Sequence, residues 1–250
     1  MAVSHVGTVY NGSGGTGSNS ISSITIHSDC ELSVVIVSGS GGSNNTEFDI
    51  LNWDAGADIE TGWNQIVAVG GGGGLAAADS YAMLESHANH PSAGSTGQTL
   101  TWSVNDQSYG TCTACVFFLD TVHATVPIGD TDSDHTESSV TSWTASLTLD
   151  ADDMAVFAAF SYYDLVFTSN SGQTNIYDSG NNIESWVDYE VNESAPGVTF
   201  PSKSYTGFIA FVVEAGAGGG PTAVSKAGEL TSSGVPTRLL AAARALSGEI

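Results

Sequence analysis

The sequence predicts an all-β protein, an antiparallel β-sandwich or jelly roll with a short C-terminal tail. About ten short segments alternate apolar and polar residues or are continuously apolar, as strands do. Stretches rich in Gly, Ser and Asn, which favour turns, separate these segments, and the chain has 30 glycines. No amphipathic helical pattern precedes residue 220. Residues 1–215 are therefore expected to form one sandwich domain.

The strands can be predicted in chain order. Residues 11–20 are rich in Gly, Ser and Asn and are expected to form a loop. Residues 21–27 alternate in polarity, and residues 32–38 are mostly apolar, which indicates a largely buried strand. The other predicted strands are residues 47–53, 64–70, 81–85, 98–104, 113–121, 142–149, 154–161, 185–191 and 205–214.

Charge divides the chain at a Gly-rich stretch. Residues 1–220 contain 25 acidic side chains and one basic side chain, Lys203, for a formal charge of −24. Residues 221–250 contain three basic and two acidic side chains, for a formal charge of +1. We expect a sandwich at 1–215, a Gly-rich linker at 216–221 and an attachment or oligomerisation segment at 222–250.

The acidic body is not expected to bind nucleic acid, because phosphate contacts need clustered Lys and Arg. An anionic membrane surface is disfavoured for the same reason. The N-terminus lacks the basic and apolar regions of a secretory signal, and no run of about 18 apolar residues predicts a membrane span. The expected site of synthesis and assembly is the cytoplasm.

The acidic residues include one cluster with the spacing of a possible cation site. Asp130, Asp132 and Asp134 alternate along the sequence, and on a flexible turn their carboxylates could converge on Ca²⁺, which takes six to eight oxygen ligands. The EF-hand pattern is absent. Asp150, Asp152 and Asp153 form a second group. Solvated acidic loops are the alternative interpretation of both groups, and no other cofactor is expected.

Three cysteines do not predict a disulfide framework. Cys112 and Cys115 have CxxC spacing, but they run into an apolar, strand-like segment. Residues three apart on a strand point to opposite faces, which opposes joint ligation of one metal. A zinc site completed by His87 and His90 is the minor alternative to buried thiols.

The C-terminal segment contains the candidate partner-binding residues. Residues 239–246 are strong helix formers, whereas residues 227–234 and 245–250 can also be taken as two copies of a short β-turn unit. Apolar and basic side chains would make the contact: Lys226, Arg238, Leu239, Leu240, Arg244 and Leu246.

The body resembles phage virion β-sandwich proteins in the order of its local patterns. The opening strand pair and its turn, at residues 22–38, are similar to theirs. So are Thr99-Leu-Thr-Trp-Ser-Val followed by the apolar run 115–119 and Val126-Pro-Ile-Gly129. The remaining matching passages are residues 142–149 before 154–159, and the closing strand 204–213 before a Gly-rich exit.

The tail resembles the G-x-L-x-x-S-G-x-L-x-R repeats that end many phage structural proteins, in Gly228-Glu-Leu-Thr-Ser-Ser-Gly234. The resemblance implies a virion protein of the capsid decoration, turret or fibre type. It also implies a homo-oligomer, with a trimer favoured, and a partner in the major capsid protein or another virion protein. These families supply no catalytic residues. Since only one or two repeat units are present, a long fibre shaft is not expected.

Two other functions are alternatives. Paired carboxylates with Trp53, Trp63, Trp102 and Trp186 could serve glycoside hydrolysis, but tryptophans on strands are more often core residues, and no GxSxG, HExxH or P-loop pattern occurs. An enzyme is therefore not expected. A lectin-like sandwich that binds a host glycan is the second alternative, with Tyr162-Tyr163-Asp164 as the candidate patch.

Overall fold

Sixteen antiparallel strands make up the regular structure of the described chain. In this computed structural model, residues 1–15, 17–40, 48–54, 62–70, 76–104, 111–163, 165–179 and 184–216 are described. They include no helix that could cross a membrane. The prediction of an all-β, antiparallel sandwich fold is confirmed, although these residues form two sandwiches where one was expected from the sequence. The strands are β1 (Ser4–Gly14), β2 (Gly17–Ile24), β3 (Leu32–Ser40), β4 (Phe48–Trp53), β5 (Asn64–Val69), β6 (Ala76–Leu84), β7 (Gln98–Val104), β8 (Thr111–Asp120), β9 (Ile128–Thr136), β10 (Val140–Thr144), β11 (Met154–Ser161), β12 (Thr168–Ser169), β13 (Thr174–Asp178), β14 (Glu184–Val191), β15 (Gly197–Lys203) and β16 (Thr206–Val213).

The strand order occurs twice. In sandwich 1, formed by β1 to β8, a five-stranded sheet of order β1-β8-β3-β6-β5 faces a three-stranded sheet of order β2-β7-β4. In sandwich 2, formed by β9 to β16, the orders are β9-β16-β11-β14-β13 and β10-β15-β12. Each strand of sandwich 2 occupies the position that the strand numbered eight lower occupies in sandwich 1, so that β9 corresponds to β1 and β16 to β8. A sheet of order β1-β8-β3-β6 that faces a sheet of order β2-β7-β4 is the jelly-roll arrangement. In this chain β5 is added to the first sheet beside β6.

Three buried apolar clusters separate four layers of sheet. Outer core 1 lies within sandwich 1, outer core 2 lies within sandwich 2, and the shared core lies between the two five-stranded sheets. Strand β3 contributes to two of these cores because alternate residues of a strand face opposite sides of the sheet. Val34 and Ile36 face the shared core, whereas Val35 and Val37 face outer core 1. Residues Ala2–Gly216 consequently form one compact unit.

The central strands are apolar along their whole length because both faces of their sheets are covered. Every residue of β11 and of β16 is buried. In β11, Val156 and Phe160 face the shared core, and Phe157 faces outer core 2. Such continuous apolar runs are typical of strands covered on both faces. These are the strands that sequence patterns predict best.

The two sandwiches are also joined where their last strands end. Val122, just after β8, and Ala215, just after β16, form an antiparallel bridge. The Gly216 N–H donates to the Thr121 carbonyl (2.9 Å), and the His123 N–H donates to the Glu214 carbonyl (2.8 Å). The bridge joins equivalent positions of the two sandwiches, two residues after the last strand of each.

Several strand predictions are wrong at their edges. Residues 11–20 do not form a loop, because β1 continues to Gly14 and β2 begins at Gly17. The prediction of a strand over 142–149 is too long, since β10 ends at Thr144. Strands β1, β9, β12, β13 and β15 were not predicted. Strands β1, β9 and β13 form sheet edges with many exposed or half-exposed residues, so they lack a clear apolar period.

Replacing Phe117 with Ala tests whether the shared core couples the two sandwiches. The ring is fully buried in that core, so its loss is expected to lower the free energy of unfolding by about 3–5 kcal/mol. Urea unfolding, followed by hydrogen exchange in β3 and in β11, should show one transition that shifts equally in both sandwiches. Val166→Ala, at a 73% exposed residue, is the control and should shift neither. A shift confined to sandwich 1 would contradict the coupling.

Candidate functional sites

The three aspartates predicted as Ca²⁺ ligands lie on a strand. Asp130, Asp132 and Asp134 occupy alternate positions of β9, so the expectation of a turn there is wrong. The Oδ2 atom of Asp132 accepts the Ser146 N–H (2.8 Å), and that of Asp130 accepts the Thr148 N–H (2.9 Å). The latter bond is the main reason that the pKa of Asp130 lies below its usual range. The aspartates thus supply hydrogen-bond acceptors for the chain that follows β10.

These hydrogen bonds hold the carboxylates of the three aspartates apart. Alternate residues on a strand are separated by about 6.8 Å, and each carboxylate here binds a different backbone N–H. The third, Asp134, accepts the N–H of His135 (2.7 Å). No contact brings the three onto one point. Calcium binding by these residues stays a prediction.

A different set of carboxylates does converge. Oxygen atoms of Asp150, Asp153 and Glu214 lie within 4.8 Å of one another. The buried Asp153 accepts the Asp150 N–H through Oδ2 and the Ala215 N–H through Oδ1, both at 2.8 Å. Burial, followed by repulsion from Asp153 and Asp150, raises the pKa of Glu214. Among the described residues, these are the acidic groups placed to hold a cation.

The internal repeat supplies a structural role for part of this acidic group. Glu31 stands directly before β3, and Asp153 stands directly before β11, the equivalent strand. Glu31 Oε2 accepts the Val122 N–H (2.9 Å), just as Asp153 Oδ1 accepts the Ala215 N–H. Val122 and Ala215 are the residues that pair with each other. The two carboxylates therefore brace the junction between the sandwiches.

A buried Ser–His pair lies at outer core 1. Ser33 Oγ and His90 Nε2 are 2.5 Å apart, and His90 Nδ1 is 2.6 Å from the Pro91 carbonyl oxygen. Because a carbonyl only accepts, we assign the ring proton to Nδ1, which leaves Nε2 to accept the serine hydroxyl. Trp53 contacts the His90 ring edge to face. Ser33 is fully buried and His90 is nearly so, and the pair forms a polar link within the sandwich.

The two CxxC cysteines lie in different cores, as the strand argument predicted. Cys115 belongs to the shared core, whereas Cys112 belongs to outer core 1, where it accepts the Trp102 Nε1–H (3.4 Å). All three cysteines are free and buried. Burial raises the pKa of Cys30 and of Cys115 to about 12. These are unreactive thiols, and the structure does not bring Cys112 and Cys115 together as a zinc-ligand pair.

The tryptophans are structural. Trp53, Trp63 and Trp102 are buried in outer core 1, and Trp186 packs against outer core 2. Large exposed aromatic surface occurs instead at Tyr162 and Tyr163, which are about 40% exposed. Asp164, the third member of that predicted patch, lies outside the described residues. So do the predicted partner-binding residues Lys226, Arg238, Leu239, Leu240, Arg244 and Leu246.

Comparison with known proteins leaves the family of this chain open. A scan against protein-family models, a search of curated proteins and a search of solved structures each found no match.

Protonation of His90 is expected to destabilise the fold. Burial lowers its pKa below 6.5, so the unfolded chain takes up this proton at a higher pH than the folded chain. Stability is therefore complete above about pH 6.5 and falls as the pH drops through that value, by up to about 1.4 kcal/mol per pH unit. Urea unfolding between pH 7.5 and 5 measures this slope. His90→Asn should remove this component, and identical slopes in both proteins would contradict the assignment.

Proposed function

We propose that this chain is a non-enzymatic structural protein of a virion, of the capsid decoration, turret or fibre type. The observation that carries the proposal is the pair of jelly-roll sandwiches packed into one compact body. Jelly rolls recur in viral capsid proteins. This support is an analogy of fold, to which the resemblance of the sequence patterns to those of phage virion proteins adds.

The charge distribution supports an exposed body. Residues 1–220 carry a formal charge of −24, with Lys203 as the one basic residue. Such a surface keeps particles in suspension and repels nucleic acid during assembly. A protein on the outside of a particle benefits from both effects.

Attachment is assigned to the C-terminal segment 222–250. Its basic residues, Lys226, Arg238 and Arg244, are the complement that an acidic particle surface or a second acidic body would need. The expected partners are the major capsid protein or another virion protein, together with further copies of this chain. A segment of about 30 residues makes only a small interface alone, so several copies would bind together. The resemblance favours a trimer.

Deletion of residues 221–250 tests the attachment. The sandwiches should keep their circular dichroism spectrum and melting temperature, because their three cores lie within residues 1–216. Sedimentation velocity should show loss of the oligomer, and quantitative mass spectrometry should show loss of the protein from purified particles. The matched variant Lys226→Gln/Arg238→Gln/Arg244→Gln keeps the length and removes the charge. Wild-type assembly by the truncated chain would refute the proposal.

A further inference from the structure

One end of sandwich 2 carries a group of tyrosine side chains beside a lysine. Tyr162 and Tyr163 follow β11 and are exposed, whereas Lys203 at the end of β15 and Tyr205 in the turn before β16 are half-buried. The Tyr163 ring lies 5.0 Å from the Tyr162 ring and 6.4 Å from the Tyr205 ring, measured between centroids. The Lys203 Nζ atom lies 5.3 Å from the centre of the Tyr163 ring. We call these four residues the tyrosine–lysine patch.

The backbone holds this patch in place. The Tyr162 N–H donates to the Tyr205 carbonyl, and the Tyr163 N–H donates to Ser161 Oγ, both at 3.1 Å. On the C-terminal side, Leu165 is buried in outer core 2. Tyr205 has φ 57°, a left-handed conformation that bulky residues rarely adopt. Backbone strain of this kind persists where the surroundings fix it, often at binding sites.

Lys203 is unusual in its surroundings. It is the one basic residue among the first 220, which contain 25 acids, yet it forms no ion pair with any described residue. Its ammonium group rests over an exposed tyrosine ring instead. A cation held over a ring, with no carboxylate partner among the described residues, can pair with an incoming anion. The patch therefore contains the one lysine or arginine of residues 1–220, a cation that can attract an anionic group.

We propose that the tyrosine–lysine patch binds a carboxylated sugar, such as a sialic or uronic acid residue of a glycan. The tyrosine rings would pack against the C–H faces of the pyranose, and their hydroxyls would exchange hydrogen bonds with the sugar hydroxyls. Lys203 would pair with the sugar carboxylate. The residues of this site lie outside the sequence range of the attachment segment, and the site does not depend on the structural role proposed above.

The net charge of the body favours this ligand over other anions. Nucleic acids and acidic peptides bring many closely spaced charges, which the surrounding carboxylates would repel. A carboxylated sugar brings one charge with a large apolar and hydroxylated surface, which fits one lysine among three tyrosines. The lectin-like alternative from the sequence contained Tyr162 and Tyr163, and the structure adds Tyr205 and Lys203, which lie about 40 residues farther along the chain.

Saturation-transfer NMR and titration with the full chain test the site. The probes are 3′-sialyllactose and a hyaluronan tetrasaccharide, with lactose as the neutral control and a tetraglutamate peptide as the acidic peptide. The acidic sugars should bind at least about tenfold more tightly than lactose, as expected for a charge-assisted hydrogen bond. Lys203→Gln should remove that difference, Lys203→Arg should retain it, and Tyr163→Ala should weaken binding of every sugar.

Val126→Ala, at another exposed apolar residue, is the matched surface control and should bind as the wild type does. Circular dichroism of each variant verifies folding, which substitutions at these exposed or half-buried positions outside the cores should not disturb. Three results would overturn the proposal: no binding of either acidic sugar, equal binding of lactose, or an unchanged preference in folded Lys203→Gln. Binding of the glutamate peptide without the sugars would assign the patch to a protein partner instead.

Discussion

The apolar contact between the two five-stranded sheets is the interaction on which the rest of this structure depends. Each of these sheets is apolar on both faces, and the smaller three-stranded sheets cover only one of them. A single sandwich would therefore expose an apolar face too large for a soluble monomer. Packing the two faces together removes both from water, and it makes one body from two repeated units.

The two sandwiches that meet at this contact have equivalent strand orders within one chain. Equivalent strands occupy equivalent places in both sandwiches, and the two chain exits pair at Val122 and Ala215. Equivalent carboxylates, Glu31 and Asp153, bind the backbone there. The presence of Asp153 in the acidic cluster is therefore explained by its hydrogen bond to the backbone at the junction between the sandwiches. The tyrosine–lysine patch lies instead at strand ends and in the adjoining turns, where a scaffold can carry binding residues without disturbing its core.

The sequence predicts the fold class because covered strands must be apolar. Strands such as β11 and β16 are recognised from composition alone, since each of their residues is buried. Strand β9 is not recognised, because an edge strand with Asp130, Asp132 and Asp134 resembles an acidic loop until its hydrogen bonds are known. The placement of Glu214 beside Asp153 is also invisible, because the two residues are far apart in the chain.

The repeat was not predicted from the sequence because equivalent positions of the two sandwiches have the same kind of residue but not the same residue. Leu32 pairs with Leu119 between β3 and β8. At the equivalent position of sandwich 2, Met154 pairs with Val213 between β11 and β16. Likewise, Glu31 corresponds to Asp153. Apolar packing tolerates such exchanges as long as volume and polarity are kept. The repeat is therefore visible in topology and register and not in the sequence.

Separate production of residues 1–122 and residues 123–216 tests the shared core most directly. If that core makes one body of two sandwiches, each fragment alone should be aggregated or loosely folded, and mixing them should restore a 1:1 complex. Sedimentation velocity and hydrogen exchange on the mixture measure this. Two fragments that are each monomeric, stable and indifferent to one another would contradict it.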